Sequence, residues 1–481
     1  MTTPVSHRTT LIKSAVASRL LLLSLIILWR SLVSPYDTSA GLNPSCLADP
    51  SPSHPVGAQP LLPGLGSAVE RSIVWDGVYY IRIAQCGYEY EQTYAFFPLL
   101  PICTSLLSRT ALSPLVPVIG YRAVLGLSGY LINNVSFVLA ALYFYRLSLA
   151  ILKDPEASLR ASILFCFNPA SIFYSSIYSE SLYALLSVGG VFYLLSGASN
   201  VAVLWLALSG LSRSNGMLNA GYIFFQAMHQ VYNAWFIKKK SFLVMQVLVV
   251  AALRGICIFV PFMAFQAFGY YNLCLGRLPN ELRPWCNRRL PLMYNYIQNQ
   301  YWGVGFLKYF RIKQLPNFLL ASPILSLALC SIISYARSRP RLFLSLGFRA
   351  LAEEKSAEPL FSMEAVQEDA IPRNPGNRDI RRRKQTSKEV FPVEHDFPEI
   401  KPYLSPLALP FILHLLFMAA TAFFVMHVQV ATRFLSASAP LYWFAAYLMV
   451  SPGGSGYTIW AYSGAYILLG SLLFSNFFPF T

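Results

Sequence analysis

The 481-residue chain has few charged residues. Asp, Glu, Lys and Arg together make up only 12% of it, against about 25% in an average soluble domain. Hydrophobic residues account for 55%, and the mean hydropathy is +0.49. This composition excludes a disordered protein, a fibre and an ordinary cytosolic enzyme. It predicts an all-α membrane protein whose chain crosses the bilayer several times.

The sequence also lacks paired metal or redox motifs. None of the eight cysteines forms a CxxC pair, which argues against a zinc or thiol redox site. Four of them lie in two polar segments expected outside the cytosol, where disulfides can form: Cys46, Cys86, Cys274 and Cys286. Free thiols are an equally good interpretation. No DxD-like pair of carboxylates is evident, so we expect no metal requirement.

The formal net charge is +16, and the basic residues are distributed along the chain as in membrane proteins. Many Lys and Arg residues lie in hydrophilic segments beside apolar runs, as the positive-inside rule describes. No basic stripe with interleaved aromatic residues stands out, which argues against nucleic-acid binding. Arg8, Lys13 and Arg19 precede or begin the first apolar run, residues 11–34, so its start should face the cytosol and the run should remain as a signal anchor.

The apolar runs, among them 122–150, 158–178 and 241–268, predict about 8–12 transmembrane helices in three regions. Residues 1–336 form a transmembrane module with non-cytosolic loops near 35–94 and 269–312. Residues 337–403 have no apolar period and predict a cytosolic, disordered loop, and residues 404–481 hold the last spans. An odd number of crossings is needed between the loop near 35–94 and the basic tract Lys238–Lys240, yet six apolar runs lie between them. The proline-broken run 95–118 is our candidate for a re-entrant or interfacial segment.

Acidic residues are scarce in the rest of the chain: only ten of the 21 lie outside that cytosolic loop. General acid–base chemistry on the non-cytosolic side must draw on these ten. Asp76 stands out in Val-Trp-Asp-Gly, at the start of a segment with helical apolar spacing. Its neighbour Trp75 indicates an anchor at the membrane interface and is also a candidate for substrate binding. An aspartate here can also serve only as a helix N-cap.

Other polar residues interrupt apolar runs and are candidates for substrate binding. Glu180 lies in NPASIFYSSIYSESLYALL, where an unpaired carboxylate costs roughly 2.5–3.5 kcal/mol to insert. It therefore lies at an interface or in a polar cavity, although small polar residues here also serve helix packing. The remaining candidates are Arg213, Asn215, His427, Gln429 and Arg433. Arg213 can equally flank the end of a span, and a lone histidine is usually structural.

Five segments together resemble the GPI mannosyltransferase 2 family. They are WDGVYYIRIAQCGYEYEQTYAFFPLLP (75–101), FNPASIFYSSIYSESLYALL (167–186), RSNGMLNAGY (213–222), YWGVGFLKYFRIKQLPNFLLASP (301–323) and HVQVATRFLSASAPLYW (427–443). The resemblance covers nearly all the chain except the cytosolic loop. It implies a GT-C glycosyltransferase fold in the endoplasmic reticulum membrane.

The resemblance also implies a reaction. Members of the family use dolichyl-phosphate-mannose to add the second mannose, in α-1,6 linkage, to the GPI-anchor precursor in the lumen. The essential lumenal aspartate of GT-C enzymes corresponds to Asp76. Donor and product linkages imply inversion, with Asp76 as general base and no cofactor besides the donor. From charge alone, Arg433, His427 and Gln429 are candidates for the donor phosphate, with Arg213 behind them.

Three alternatives remain open at this stage. The chain could be another lipid-linked sugar transferase of the same class. A lipid transporter or flippase would show inverted repeats and broken helices in matching halves, which are not evident. A non-catalytic scaffold would tolerate the loss of Asp76. The expected partners are the two lipid substrates and a small membrane subunit, with no nucleic acid.

Overall fold

A computed structural model describes residues 4–36, 46–47, 60–276, 278, 282–349, 402–451 and 456–478. These residues are largely helical and include no β-strand, so the expected all-α multi-span architecture is confirmed. In chain order the helices are α1 (Pro4–Leu32), α2 (Pro63–Arg71), α3 (Asp76–Cys86), α4 (Leu99–Arg109), α5 (Val116–Ile119), α6 (Tyr121–Leu152), α7 (Pro155–Cys166), α8 (Ser171–Ser175), α9 (Glu180–Leu195), α10 (Ser199–Ser212), α11 (Ala220–Tyr232), α12 (Ser241–Cys274), α13 (Met293–Trp302), α14 (Leu315–Ser338), α15 (Pro340–Leu344), α16 (Leu409–Phe424), α17 (Ala431–Leu435), α18 (Ala439–Val450) and α19 (Gly456–Ser475).

Six of the described helices are long and apolar enough to cross a bilayer: α1, α6, α12, α14, α16 and α19. The longest, α12, has 34 residues and spans about 51 Å, more than the roughly 30 Å hydrocarbon core. Three shorter apolar helices, α9, α10 and α18, contribute to the largest buried cluster. They are shorter than a full span because polar turns around Glu180, Arg213 and Ser438 begin or end them.

Close helix contacts in this core depend on small residues. Helix α6 packs extensively against α9, and α9 against α10. A Cβ added at Gly189 or Gly190 would lie within 3 Å of Trp205 or Leu206. Gly129 on α6 is equally tight against Ile177. Small side chains let helix backbones approach in the absence of a hydrophobic driving force between helices.

The proline-rich run 95–118 forms a bent helix pair rather than a straight span. Residues Leu99–Arg109 and Ser113–Ile119 are bent by 67° at their break. The backbone N–H of Leu62 donates to the Val118 carbonyl, at 2.8 Å, and thus ties the end of the pair to the segment before Asp76. Its beginning follows Phe97, which lines the same cavity as Asp76. The bent pair is either a broken span or a re-entrant segment.

The predicted cytosolic loop is described only at its edges. Helix α14 continues to Ser338, and the short helix α15 follows where the sequence indicated a loop. The chain is described again from Pro402, in a 3₁₀ turn before α16. The predicted disorder of the intervening residues 350–401 lies outside the described residues.

Both predicted non-cytosolic segments carry a disulfide. Cys46 pairs with Cys86, and Cys274 with Cys286. These are the four cysteines that the sequence placed in the two polar segments, and the pairing decides between disulfides and free thiols. The free cysteines are Cys103, Cys166, Cys257 and Cys330.

Candidate active site

Asp76 begins α3 immediately after a backbone turn at Trp75. Trp75 has a φ of +53°, which is a strained conformation for a bulky residue. Two contacts hold it there: its Nε1 donates to the Phe474 carbonyl at 3.0 Å, and its ring packs on Phe477 at 5.7 Å. The Asp76 N–H donates to the Tyr178 hydroxyl at 3.1 Å. Trp75, not Asp76, occupies the N-cap position, so the Asp76 carboxylate is not needed for capping.

The Asp76 carboxylate belongs to a row of alternating charges. Arg433 Nη1 donates to Asp76 Oδ2 at 3.0 Å, and Arg433 Nε lies 3.9 Å from Glu180 Oε1. The same Glu180 oxygen pairs with Arg213 Nη1. The order is therefore Asp76, Arg433, Glu180, Arg213. The two carboxylates neutralise the two guanidinium groups, so the row adds no net charge.

Short irregular segments bring these four side chains together. Arg213 follows the last residue of α10 in an extended conformation, at the start of the 3₁₀ helix Ser214–Asn219. Glu180 is the first residue of α9. Arg433 lies in α17, whose five residues follow another 3₁₀ turn. Because polar residues at helix ends can leave the apolar environment of the spans, the charges gather at one end of the bundle.

Both arginines remain charged in this environment. Burial by itself lowers the pKa of Arg433, but the charges of Asp76 and Glu180 outweigh burial and raise that pKa above its usual value. Burial likewise lowers the pKa of Arg213, and Glu180 outweighs it. Glu180 Oε2 and Arg433 Nε have no hydrogen-bond partner within the described part of the chain. A buried oxygen and N–H of this kind are available to a ligand.

These groups face a cavity of about 150 Å³. Five of the predicted site residues line it: Asp76, Glu180, Arg213, His427 and Arg433. Further lining residues that the sequence did not single out include Tyr80, Phe96, Tyr178, Ser212, Ser214, Tyr294, Gln298 and Trp302. Several of these lie within the segments that carry the family resemblance, but their side chains gave no reason to prefer them over neighbouring aromatic or serine residues.

Three predicted residues do not line this cavity. Trp75 turns toward Phe474, as described above. Asn215 is buried, and neither its amide oxygen nor its nitrogen has a partner among the described residues. The Gln429 oxygen accepts from the Tyr309 hydroxyl at 2.9 Å. These three side chains therefore adjoin the site without facing its open space.

His427 lines the cavity through a ring that is stacked on Tyr309, with 4.5 Å between ring centroids. Burial lowers the pKa of His427 below its usual value of 6.5. The imidazole is therefore neutral at neutral pH. A hydrogen bond joins the imidazole to the Trp302 backbone, and the cationic groups of the cavity are Arg433 and Arg213.

Hydrogen bonds to Glu91 hold in place the wall of the cavity that contains Trp302. Glu91 Oε1 accepts from Trp285 Nε1 at 2.8 Å, and its Oε2 accepts from the Tyr301 hydroxyl at 2.8 Å. Trp285 is fully buried and neighbours the disulfide cysteine Cys286. Because α13 carries both Tyr301 and the lining residue Trp302, Glu91 joins the first non-cytosolic segment to the second.

One group of potential metal ligands occurs among the described residues: Cys46, Cys86 and Glu89. The two sulfur atoms are joined in a disulfide, and Glu89 pairs with Arg82 at 2.6 Å. Thiolate coordination is therefore not open to this group, and it lies outside the charged cavity.

The whole chain matches known proteins. A family model described as "Mannosyltransferase (PIG-V)" matches residues 8–481. A human protein named GPI alpha-1,6-mannosyltransferase 2 is 30% identical over 463 residues, covering 92% of this chain and 84% of the human one. A Chaetomium globosum protein named GPI mannosyltransferase 2 is 31% identical over 373 residues, covering 69% of this chain and 76% of that one.

Among solved structures, the archaeal oligosaccharyltransferase AglB from Archaeoglobus fulgidus, in complex with an inhibitory peptide and a dolichol-phosphate, aligns with a TM-score of 0.44 at 12% identity. The alignment covers 97% of this chain and 55% of that one. The match of the family model over almost the entire length is decisive: the chain belongs to the PIG-V mannosyltransferase family and is a multi-pass membrane glycosyltransferase.

Proposed function

We propose that the chain adds the second mannose of the GPI-anchor precursor, in α-1,6 linkage, on the lumenal side of the endoplasmic reticulum membrane, with dolichyl-phosphate-mannose as donor and a GT-C mechanism. The observation that carries the proposal is the Asp76–Arg433 pair at the wall of a cavity at one end of the apolar bundle. The names of the relatives supply the acceptor and the linkage.

The lumenal placement is supported by the disulfides. Asp76 is ten residues before Cys86, within the segment that the Cys46–Cys86 bond closes. The second bond lies in the segment that Glu91 ties to the first. Disulfides form and persist in the lumen and are rare in the cytosol. The two disulfides therefore support a cavity that opens toward the lumen.

In this mechanism Asp76 accepts the proton of the acceptor hydroxyl. The hydroxyl oxygen forms the new bond to C1 of the mannose, while the bond from C1 to the phosphate oxygen breaks. The bonding electron pair leaves with dolichyl phosphate, which needs no proton. Attack opposite the leaving group converts the β-linked donor into an α-linked product.

Arg433 connects the base to the leaving group. In the structure it binds Asp76 through Nη1, and its Nε has no hydrogen-bond partner within the described residues. A donor phosphate in the cavity would share Arg433 with Asp76. Arg433 would then stabilise the negative charge that develops on the phosphate, and its hydrogen bond to Asp76, the base, would weaken. His427 would contact the donor beside its phosphate, because its ring lines the same cavity. The unpartnered Glu180 Oε2 would accept one from a mannose hydroxyl.

The proposal is tested with the purified full-length protein in lipid vesicles. Radiolabelled dolichyl-phosphate-mannose is offered with a GPI precursor that carries one mannose, and the product is digested with a linkage-specific α-1,6-mannosidase. We expect transfer from this donor to this acceptor and release of the label by the mannosidase. GDP-mannose as donor, and a precursor without mannose as acceptor, are the controls.

Efficient transfer from GDP-mannose would contradict the proposed donor. Transfer to the mannose-free precursor, or a product resistant to the mannosidase, would assign the chain to a different lipid-linked sugar transfer. Movement of either lipid across the vesicle bilayer without transfer would favour a transporter.

A further inference from the structure

A second, larger cavity lies at the other end of the bundle. It has a volume of about 730 Å³ and is lined by the turn between α9 and α10, by α11 and by α12. Helix α10 begins at this cavity with Ser199 and ends beside Arg213 in the charged cavity. Its 14 residues separate the two by about 20 Å. The larger cavity therefore plays no direct part in the transfer of the sugar.

Four long polar side chains face this cavity from membrane helices. Gln226 and Gln230 are one turn apart on α11, and Gln246 and Arg254 are two turns apart on one face of α12. Within the described ranges, Arg254 has no carboxylate within ion-pair distance and no hydrogen bond. The side chains of the three glutamines likewise make no hydrogen bond to any described residue. Their amides are therefore available to a ligand.

Arg254 lies at a depth where an unpaired charge is costly. It is 13 residues from the start of α12, so it is about 20 Å along that helix. If the roughly 30 Å hydrocarbon core is centred on α12, the Arg254 Cα lies about 10 Å inside its nearer boundary. Ionisable residues at such positions are found paired or in functional sites.

The nearer membrane face is the cytosolic one. The basic tract Lys238–Lys240 immediately precedes α12, as expected for a cytosolic end, whereas Cys274 at its other end is in a disulfide. Outside the cavity, α12 presents exposed apolar side chains to the bilayer, including Phe242, Met245, Leu248, Val249 and Leu253. A ligand that enters here can therefore be an amphiphile whose tails lie along α12.

We propose that this cavity binds an anionic glycerophospholipid of the cytosolic leaflet. Arg254 pairs with its phosphate, and the three glutamine amides donate to phosphate and head-group oxygens. Charge complementarity selects this occupant: a phosphate satisfies the guanidinium and the amides together, whereas an acyl chain alone leaves all four polar groups unpaired. An anionic head group such as phosphoserine adds a carboxylate, while the quaternary ammonium of phosphatidylcholine would repel Arg254. The site is independent of the proposed mannose transfer.

The test is native mass spectrometry of the purified full-length protein, titrated with phosphatidylserine or with phosphatidylcholine of the same acyl chains. We expect the wild-type protein to bind phosphatidylserine about ten-fold more tightly, a ratio typical of one charge-assisted contact. Arg254→Leu should abolish the preference, and Arg254→Lys should retain most of it. Arg146→Leu is the matched control, because Arg146 is an exposed arginine on α6 away from the cavity.

Equal binding of the two lipids by the wild-type protein would overturn the proposal, as would a preference that survives Arg254→Leu. If Arg254→Leu does not accumulate, Gln246→Leu takes its place, since Gln246 is exposed and the loss of its bond to a head-group oxygen should lower the preference for phosphatidylserine. A co-purifying polypeptide that Arg254→Leu releases, in the absence of bound lipid, would show that the cavity holds a protein helix and would also overturn the lipid proposal. Mannose transfer is measured separately, so its failure leaves these outcomes unaffected.

Discussion

Arg433 is the residue that both carboxylates of the charged cavity share. It donates to Asp76 at 3.0 Å and lies 3.9 Å from Glu180, and its guanidinium is 5.5 Å from the Tyr178 ring centroid. Its side chain is 20% exposed, so a substrate can reach it from the cavity. An arginine held in this way is ready to bind a phosphate without first being desolvated.

Replacing Arg433 by glutamine should therefore weaken donor binding more than acceptor binding. Loss of a charge-assisted contact of about 1.5–3 kcal/mol predicts a KM for dolichyl-phosphate-mannose that rises roughly 10- to 100-fold. The measurement is steady-state transfer at varied donor and fixed, saturating acceptor. Arg311→Gln, at an exposed position outside the cavity, serves as the control. A KM that stays constant while the amount of folded protein falls would give Arg433 a purely structural role.

Glu180→Gln tests the other shared contact. The neutral amide removes the partner of Arg213 and one of the two carboxylates near Arg433. We expect donor KM and turnover both to worsen, by about ten-fold or more, because a buried guanidinium is left without its counter-charge. Glu156→Gln, at a carboxylate that pairs with His7 outside the cavity, is the matched change and should leave the transfer kinetics unchanged. Wild-type kinetics in Glu180→Gln would remove this residue from the site.

The sequence identified the charged residues of the cavity because charge is scarce in an apolar chain. Asp76, Glu180, Arg213 and Arg433 each interrupt an apolar environment, and each lines the cavity. The aromatic lining could not be identified in the same way, since Tyr178 and Trp302 are two of many aromatic residues. Gln429 was chosen on polarity alone, and its bond to Tyr309 depends on a tertiary contact that no local pattern reveals.

At the scale of elements, the site depends on the connection between the two segments that carry disulfides. Glu91 accepts hydrogen bonds from Trp285 and Tyr301, so it fixes α13 and its lining residue Trp302 over the cavity. Removing this one buried carboxylate should therefore free the wall of the cavity without changing any charged residue that lines the cavity.

Glu91→Ala should loosen this wall. It leaves the buried Trp285 N–H without its acceptor, at a cost of about 1–3 kcal/mol. We expect a lower thermal-shift midpoint and faster proteolytic cleavage within residues 282–312, with donor and acceptor KM raised together. Glu70→Ala, in the same segment but outside the Glu91 contacts, is the control. Unchanged proteolysis would show that the disulfides alone hold the two segments.

Most spans could be predicted from apolar runs, whereas their breaks could not. The run 122–150 corresponds to α6, and the run 241–268 lies within α12. The run 158–178 divides into α7 and α8 because Asn168 and Pro169 form a turn in which Asn168 Oδ1 accepts from the Ala170 N–H at 2.8 Å. Hydropathy averaged along the sequence does not detect such a turn, because the turn is a single polar contact within an apolar run.

At the scale of the whole molecule, composition alone predicted an all-α membrane protein, and the disulfides now indicate its orientation. Asp76 and Arg433 are 357 residues apart in sequence, and only the folded bundle brings them together. Their juxtaposition could not be inferred without a structure or a resemblance. The same applies to the larger cavity, whose four long polar side chains come from two different helices.

Peptide mapping of the unreduced protein tests this orientation. After alkylation without reduction, we expect linked peptides for Cys46–Cys86 and Cys274–Cys286, and alkylated peptides for the exposed Cys257 and Cys330. Reduction before alkylation should convert all four linked cysteines to the alkylated form. Free thiols at Cys46 and Cys86 in protein taken from its native membrane would argue against a lumenal cavity.

The most direct test of the account is single-turnover transfer by Asp76→Asn with donor already bound. Asparagine keeps the size of the side chain and can still contact Arg433, but it cannot accept the proton. We predict donor affinity within about three-fold of the wild-type value and a transfer rate lower by about 10²–10⁴-fold, the usual contribution of a general base. Asp154→Asn, at the N-cap of α7, should leave both unchanged. A normal transfer rate in Asp76→Asn would contradict the central claim that this carboxylate is the base.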